Sequence, residues 1–250
     1  MHILGIDIGG SGMKAAPVDI DNGKLVRDRY RLDTPQPPTR KAMTKVVGEL
    51  ARRFDWHGPI GVSFPARIKK GKALTATNIH DKWLGTNVVK RFTKKTGCPI
   101  YVLNDADAAG MAEIAFGSKK NRKGVVMMLT FGTGIGSALF VDGGLVPNTE
   151  LGHLNLFGGI AEDYAANSAR KRENLSWEAW AERVQAYLDH VEFLFSPDRI
   201  ILGGGVSRPH KLEEYFHLLK TNAKLAPAKL QNEAGIIGAA YAARGLLPKD

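Results

Sequence analysis

Two glycine-rich turns, each set behind a strand-like apolar run, constrain this chain more than any other feature. The first lies in LGIDIGGSGMK, residues 4–14, and the second in LTFGTGIGSALF, residues 129–140. Glycine at such turns allows close approach by an anion that a Cβ would obstruct, and successive backbone N–H groups can then cradle a phosphate. Between the turns lies NDAD, residues 104–107, and soon after the second comes ELGH, residues 150–153. The order therefore supplies two phosphate grips with a carboxylate between them as a candidate base.

The organisation is α/β. Residues 2–8, 13–19 and 24–32 read as a three-stranded meander whose first hairpin loop is the glycine turn, and Asp21-Asn22-Gly23 supplies the second turn. Prolines at 35, 37 and 38 precede a helix over 40–54. Strands follow at 60–64 and, more weakly, at 72–77, then a helix at 85–96, a strand at 100–103 and a small-residue helix at 106–116. Residues 125–131 and 135–141 form a second hairpin around a glycine turn, and this echo suggests two related lobes with a cleft between them. Ser176 caps a helix carrying Trp177, Trp180, Val184, Leu188, Val191 and Phe195 on one face, a pattern that reads as core. A strand at 199–202 enters Gly203-Gly204-Gly205, and 234–246 forms a closing helix whose Gly and Ala content implies close packing.

Neither turn ends in the Gly-Lys-Ser/Thr of a Walker A loop. The run Gly132-Thr133-Gly134-Ile135-Gly136 has part of a dinucleotide fingerprint, but a strand-like 137–141 follows it where a Rossmann turn opens a helix. A phosphate clamp of another kind is the better reading.

The resemblance is then specific. Asp7-Ile8-Gly9-Gly10-Ser11-Gly12 with Lys14, the 132–136 turn, and Gly203-Gly204-Gly205 resemble the phosphate-1, phosphate-2 and adenosine segments of the sugar kinase, actin and Hsp70 superfamily. Asn104-Asp105-Ala106-Asp107 and Glu150-Leu151-Gly152-His153 resemble the ROK family of sugar kinases, and SGMKAAPVD, FPARI, TATNIHDKWLGTN, PNTELGHL and KRENLSWEAW are similar to its polyphosphate-using glucokinase branch. The resemblance implies a two-lobed, actin-like ATPase (ribonuclease H-like) α/β fold. A smaller lobe would span 1–103 and a larger one 104–250, with the helix at 234–246 packing back on the first.

It also implies roles, residue by residue. Asp105 matches the catalytic base, since transfer to a sugar hydroxyl needs a carboxylate to accept its proton; its alternative is to cap the helix that begins at Ala106. Asn104, Glu150, His153 and Glu162 match positions that hydrogen-bond sugar hydroxyls, and Asn78 falls in a sugar-side loop. Gly9, Gly10, Ser11, Gly12 and Lys14, with Thr133, Gly134 and Gly136, would hold the donor. Asp7 matches the carboxylate that approaches Mg²⁺ through water. The stretch after His153, LNLFGGIAED, lacks the cysteines of the zinc segment common in the family, so no zinc is expected.

Charge bears on the donor. With 35 Lys and Arg against 25 Asp and Glu, the net charge is +10, a balance that favours polyanions. Basic clusters stand at 69–72, 90–95, at Lys119, Lys120, Arg122 and Lys123, and at 170–172; the third is the expected polyphosphate track. The expected reaction is transfer from inorganic polyphosphate, with ATP as a second donor that the sequence does not exclude, to the 6-hydroxyl of glucose. An ATP-preferring glucokinase or mannokinase, or a sugar sensor without catalysis, are the alternatives.

Nucleic-acid binding is disfavoured because no helix-turn-helix, RNP-like strand or zinc finger is present. A single cysteine, Cys98, the lack of a leader-like start, and the absence of an apolar run near the roughly 20 residues a bilayer requires point to a cytoplasmic protein without membrane association. A homodimer is expected from the resemblance alone.

Overall fold

The computed structural model describes residues 1–76 and 79–247. These divide into two compact units, Met1–Phe116 together with 233–247, and Gly117–Asn232. The break thus falls thirteen residues beyond the 103/104 boundary read from sequence, and the NDAD loop with its helix belongs to the first unit.

In the first unit, β1 (His2–Ile8) and β2 (Gly12–Asp19) form an antiparallel hairpin extended by β3 (Lys24–Leu25) and β4 (Tyr30–Asp33), both pairing with β2. The single strand expected over 24–32 is therefore two short ones. After helix α1 (Arg40–Arg53), β5 (Ile60–Phe64) pairs parallel to β1. A small hairpin of β6 (Ile68–Lys69) and β7 (Lys72–Ala73) and helix α2 (Val88–Thr96) lead to β8 (Ile100–Asn104), parallel to β5. Every residue of β5 is buried, as expected of a parallel strand covered on both faces. The register pairs Asp7 with Ser63 and Phe64 with Asn104, so three polar side chains stand at the carboxyl ends of adjacent parallel strands, where open α/β sheets place ligands.

Helix α3 (Asp105–Ala112) continues into one wider turn, Glu113–Gly117. The terminal helix, Ala234–Ala242, packs on α3, β1 and β5. Its small residues make this possible: a Cβ on Gly238 would stand 1.6 Å from the Ala108 carbonyl oxygen. Behind the sheet, the rings of Phe64, Trp83 and Phe92 pack edge to face with α1 and α2.

The second unit repeats the same strand order. Strands β9 (Val125–Phe131), β10 (Ile135–Val141) and β11 (Gly144–Val146) form the antiparallel meander, and a minor hairpin joins β12 (Asn155–Leu156) to β13 (Gly159–Ile160). Helices α4 (Ala161–Ala165), α5 (Asn167–Arg172) and α6 (Trp177–Phe195) precede β14 (Arg199–Gly203), which runs parallel to β9. Helix α7 (Pro209–Tyr215) leads to β15 (Lys224–Pro227), parallel to β14. The Ser176 hydroxyl caps α6 by accepting from the Ala179 amide. Trp180, Val184, Leu188 and Val191 of the expected stripe are fully buried, and Tyr187 joins them beneath Phe131. Trp177 and Phe195, at the two ends, are only partly covered.

Candidate active site

The loop joining β1 to β2 is tight: the Gly9 amide donates to the Gly12 carbonyl at 3.0 Å. The carbonyls inside it are held from one side. Thr34 Oγ1 donates to the Gly9 oxygen, Gln36 Nε2 to that of Gly10 at 3.4 Å, and the Arg31 guanidinium to that of Ser11 at 2.9 Å. With these oxygens tied down, the amides of Gly10 and Ser11 have no partner among the described residues and are available to an anion. Arg31, Thr34 and Gln36 carry no recognisable sequence signal, because they reach the loop only through pairing of β4 with β2.

Beside the loop, Asp7 accepts from Ser63 Oγ at 2.9 Å and faces Lys14 Nζ at 3.5 Å. Lys14 is its cross-strand partner in the hairpin, and Gly235 of the terminal helix lies against the same carboxylate. The ion pair is partly solvated and is worth about 1 kcal/mol at most. One fixed carboxylate with lone pairs to spare fits Mg²⁺, which dehydrates reluctantly and binds through its waters and the donor's phosphates. Among the described residues no group of three or more His, Cys, Asp or Glu could hold a metal ion.

At the end of β8, buried Asn104 caps α3. Its Oδ1 accepts from the amides of Ala106 at 2.8 Å and Asp107 at 3.3 Å, and its Nδ2 stands 3.5 Å from the Ala66 carbonyl. Such a cap is worth about 1 kcal/mol. The capping alternative weighed for Asp105 therefore belongs chiefly to Asn104. Asp105, the first helical residue, is exposed, and its carboxylate accepts from the Ala106 amide at 2.9 Å.

The second unit assembles the other half of the expected set. In the β9–β10 turn, the Gly132 amide donates to the Gly134 carbonyl at 2.9 Å. Ser168 at the start of α5 braces this turn, its amide donating to the Gly132 oxygen at 3.0 Å and its hydroxyl to that of Thr133. Glu162 Oε2 accepts from the Ile135 amide at 3.1 Å, and a Cβ on Gly134 would come within 2.2 Å of that oxygen. Gly136 lies inside β10, paired with Thr130, rather than in the turn.

His153 stands between two carboxylates, its Nδ1 3.9 Å from Glu150 and its Nε2 3.9 Å from Glu162. Both distances are too long for hydrogen bonds, so neither contact occupies a nitrogen of the imidazole. The segment carrying Glu150 and His153 is fixed to β10 by buried Ser137, whose Oγ donates to the Thr149 carbonyl at 2.8 Å and accepts from the Leu151 amide at 3.0 Å.

Gly203, Gly204 and Gly205 follow β14. Gly204 takes a φ of +82° against the Phe131 backbone, and the Gly205 carbonyl accepts from Lys211 Nζ at 3.0 Å. Lys119, Lys120, Arg122 and Lys123 are exposed on and after the short turn Lys119–Arg122. Asn78 lies outside the described residues.

Two sheets of one topology, each with a glycine hairpin, define a sugar kinase of the actin-like ATPase fold. The chain belongs to the ROK family, whose model matches residues 3–163. It is 45% identical over 242 residues to the polyphosphate glucokinase of Mycobacterium tuberculosis (strain CDC 1551 / Oshkosh), covering 96% of this chain and 91% of that protein. The polyphosphate glucokinase of Mycobacterium leprae (strain TN) is 44% identical over 240 residues, 96% of this chain and 74% of that protein. Among solved structures, the inorganic polyphosphate/ATP-glucomannokinase of Arthrobacter sp. strain KM superposes with a TM-score of 0.88 at 46% identity, covering 96% of both chains. A ROK family glucokinase from Streptomyces griseus shares the fold, with a TM-score of 0.80 at 23% identity over 98% of this chain and all of that one.

Proposed function

We infer that the chain is a polyphosphate-dependent glucokinase, transferring a phosphoryl group from inorganic polyphosphate to the 6-hydroxyl of glucose. The observation that carries this reading is the position of Glu162, which bonds the backbone of the phosphate-2 hairpin on one side and faces His153 on the other. One carboxylate thereby ties a phosphate-holding turn to a hydroxyl-binding cluster, the juxtaposition that phosphoryl transfer to a sugar requires. The likeness to proteins of that name runs over 96% of the chain.

In this reading Asp105 accepts the proton of the attacking hydroxyl. Asn104 offers Nδ2, its Oδ1 being engaged by the helix, while Glu150 and Glu162 accept from sugar hydroxyls and His153 offers a ring nitrogen. The Gly10 and Ser11 amides, Lys14 and the Thr133 turn hold the donor's phosphates, and these preorganised dipoles oppose the charge spread over the transferring group. Asp7 would hold hydrated Mg²⁺, which supplies further charge neutralisation there. A homodimer acting in the cytoplasm completes the proposal; exposed Phe193 and Leu194 near the end of α6 are compatible with a subunit contact.

The test is the initial rate of glucose 6-phosphate formation with Mg²⁺, comparing long-chain polyphosphate and ATP as sole donors at matched phosphate. A polyphosphate rate at or above the ATP rate is expected. Activity with ATP alone replaces the donor assignment with an ATP-dependent one, and silence with both returns the protein to sugar binding without transfer.

A further inference from the structure

A phosphate polymer needs more than a grip on its terminal unit, because every further unit brings another negative charge. The second unit contains a basic cluster placed to meet those units. The first turn of helix α5 holds Ser168, which is bonded to two carbonyls of the phosphate-2 turn, and the helix carries Arg170 and Lys171 shortly after it. Helix α7 is joined to it by a stack: the Arg170 guanidinium lies 3.9 Å from the Trp177 ring centroid, and Trp177 stacks on Tyr215 of α7 at 5.7 Å and 16°. The opening turn of α7 brings Arg208 and Lys211, the latter anchored on the Gly205 carbonyl at 3.0 Å.

None of Arg170, Lys171, Arg208 and Lys211 forms a salt bridge among the described residues, whereas Arg172 and Arg183 nearby are neutralised by Glu173. Burial lowers the Lys211 pKa, and the repulsion of Arg208, Lys171 and Arg170 lowers it further. Four cations gathered without a counter-charge are held at an electrostatic cost that a bound polyanion would relieve.

We propose that Arg170, Lys171, Arg208 and Lys211 form the subsite for the donor phosphates beyond those gripped by the phosphate-2 turn. The glycine segment 203–205, whose counterpart serves adenosine in the family resemblance, is thereby rimmed by groups suited to phosphate rather than to a base. This rests on the polyphosphate reading and makes the α5–α7 cluster, rather than the run 119–123, the donor track.

The test uses the full chain with Lys171→Gln/Arg208→Gln, both exposed and with no side-chain hydrogen bond to lose, and with Lys119→Gln/Lys120→Gln for comparison. Binding of long-chain sodium polyphosphate and of tripolyphosphate is measured calorimetrically with Mg²⁺, alongside glucose 6-phosphate formation. For K171Q/R208Q the Kd for the long chain is expected to rise about tenfold, equivalent to about 1.4 kcal/mol, with tripolyphosphate binding changed far less. The charge-conserving Lys171→Arg/Arg208→Lys restores long-chain binding. An unchanged long-chain Kd, equal losses for both anions, or loss confined to K119Q/K120Q would each overturn the subsite, as would a wild-type protein that binds no polyphosphate. Wild-type protein that binds the polymer without phosphorylating glucose, while K171Q/R208Q loses that binding, would overturn the donor reading and leave the subsite standing.

Discussion

Glu162 accepts the Ile135 amide at 3.1 Å in a space that exists only because residue 134 has no Cβ. The pair couples the shape of the phosphate-2 turn to the charge beside His153. A side chain at 134 must displace either the carboxylate or the turn, and each is assigned a substrate.

Gly134→Ala is accordingly expected to lower kcat/KM for both donor and glucose by roughly tenfold or more, since small misplacements of positioning groups are costly. Glu162→Gln, which keeps an oxygen for the Ile135 amide, is expected to affect glucose more than donor. Steady-state kinetics with each substrate varied separately checks both; a G134A enzyme impaired for one substrate alone contradicts the coupling.

Asp105→Asn should reduce kcat by about 10²–10⁴-fold, the usual contribution of a general base, and leave glucose binding largely intact. Calorimetric glucose titration of the variant separates the two. A loss of affinity equal to the loss of rate would mean that Asp105 binds the sugar rather than accepting its proton.

Asn104 caps α3, and substitution can part that role from the sugar contact proposed for it. Asn104→Ala removes the α3 cap and should cost about 1 kcal/mol of stability, together with glucose affinity. Asn104→Asp keeps a capping oxygen and loses the Nδ2 donor, so its melting temperature should stay near wild type while the KM for glucose rises. Thermal melts and glucose kinetics on the two variants decide it; equal KM values for N104D and wild type remove Nδ2 from the sugar site.

Hydrogen bonds from Arg183 and then Arg172 hold the Glu173 carboxyl below its ordinary value of 4.5. A depressed carboxyl pKa contributes stability that is present above the unfolded value and lost as pH falls through the folded one. Stability should therefore decline as pH drops below about 4.5, and Glu173→Gln should flatten that part of the curve and leave the neutral-pH slope unchanged. Chemical denaturation across that range provides the measurement, and an unaltered acid limb in E173Q would refute the linkage.

Local chemistry makes much of this molecule legible in its sequence. The two glycine hairpins are written in neighbouring residues, with apolar strands on either side of short flexible loops. The α6 helix announces itself by the Ser176 cap and a buried face at helical spacing, and Asp7, Asp105 and the ELGH segment stand out by their order along the chain. These are signals of short range, and turn geometry, capping and amphipathic period are all determined within a few residues.

Only the tertiary structure decided which distant residues meet. Glu162 is singled out in sequence only by the family resemblance, as a partner for sugar hydroxyls, yet chain packing also sets it on an amide 27 residues away. Strand pairing split the expected strand over 24–32 and so brought Arg31, Thr34 and Gln36 onto the carbonyls of the first glycine loop. Packing of the terminal helix on α3 and β1 placed the NDAD loop in the first unit, and the Trp177–Tyr215 stack gathered the cations of α5 and α7. The physical reason is common to all of these. A side chain's local propensity is the same wherever the chain runs, whereas its partners are chosen by strand register and by how closely neighbouring backbones can approach.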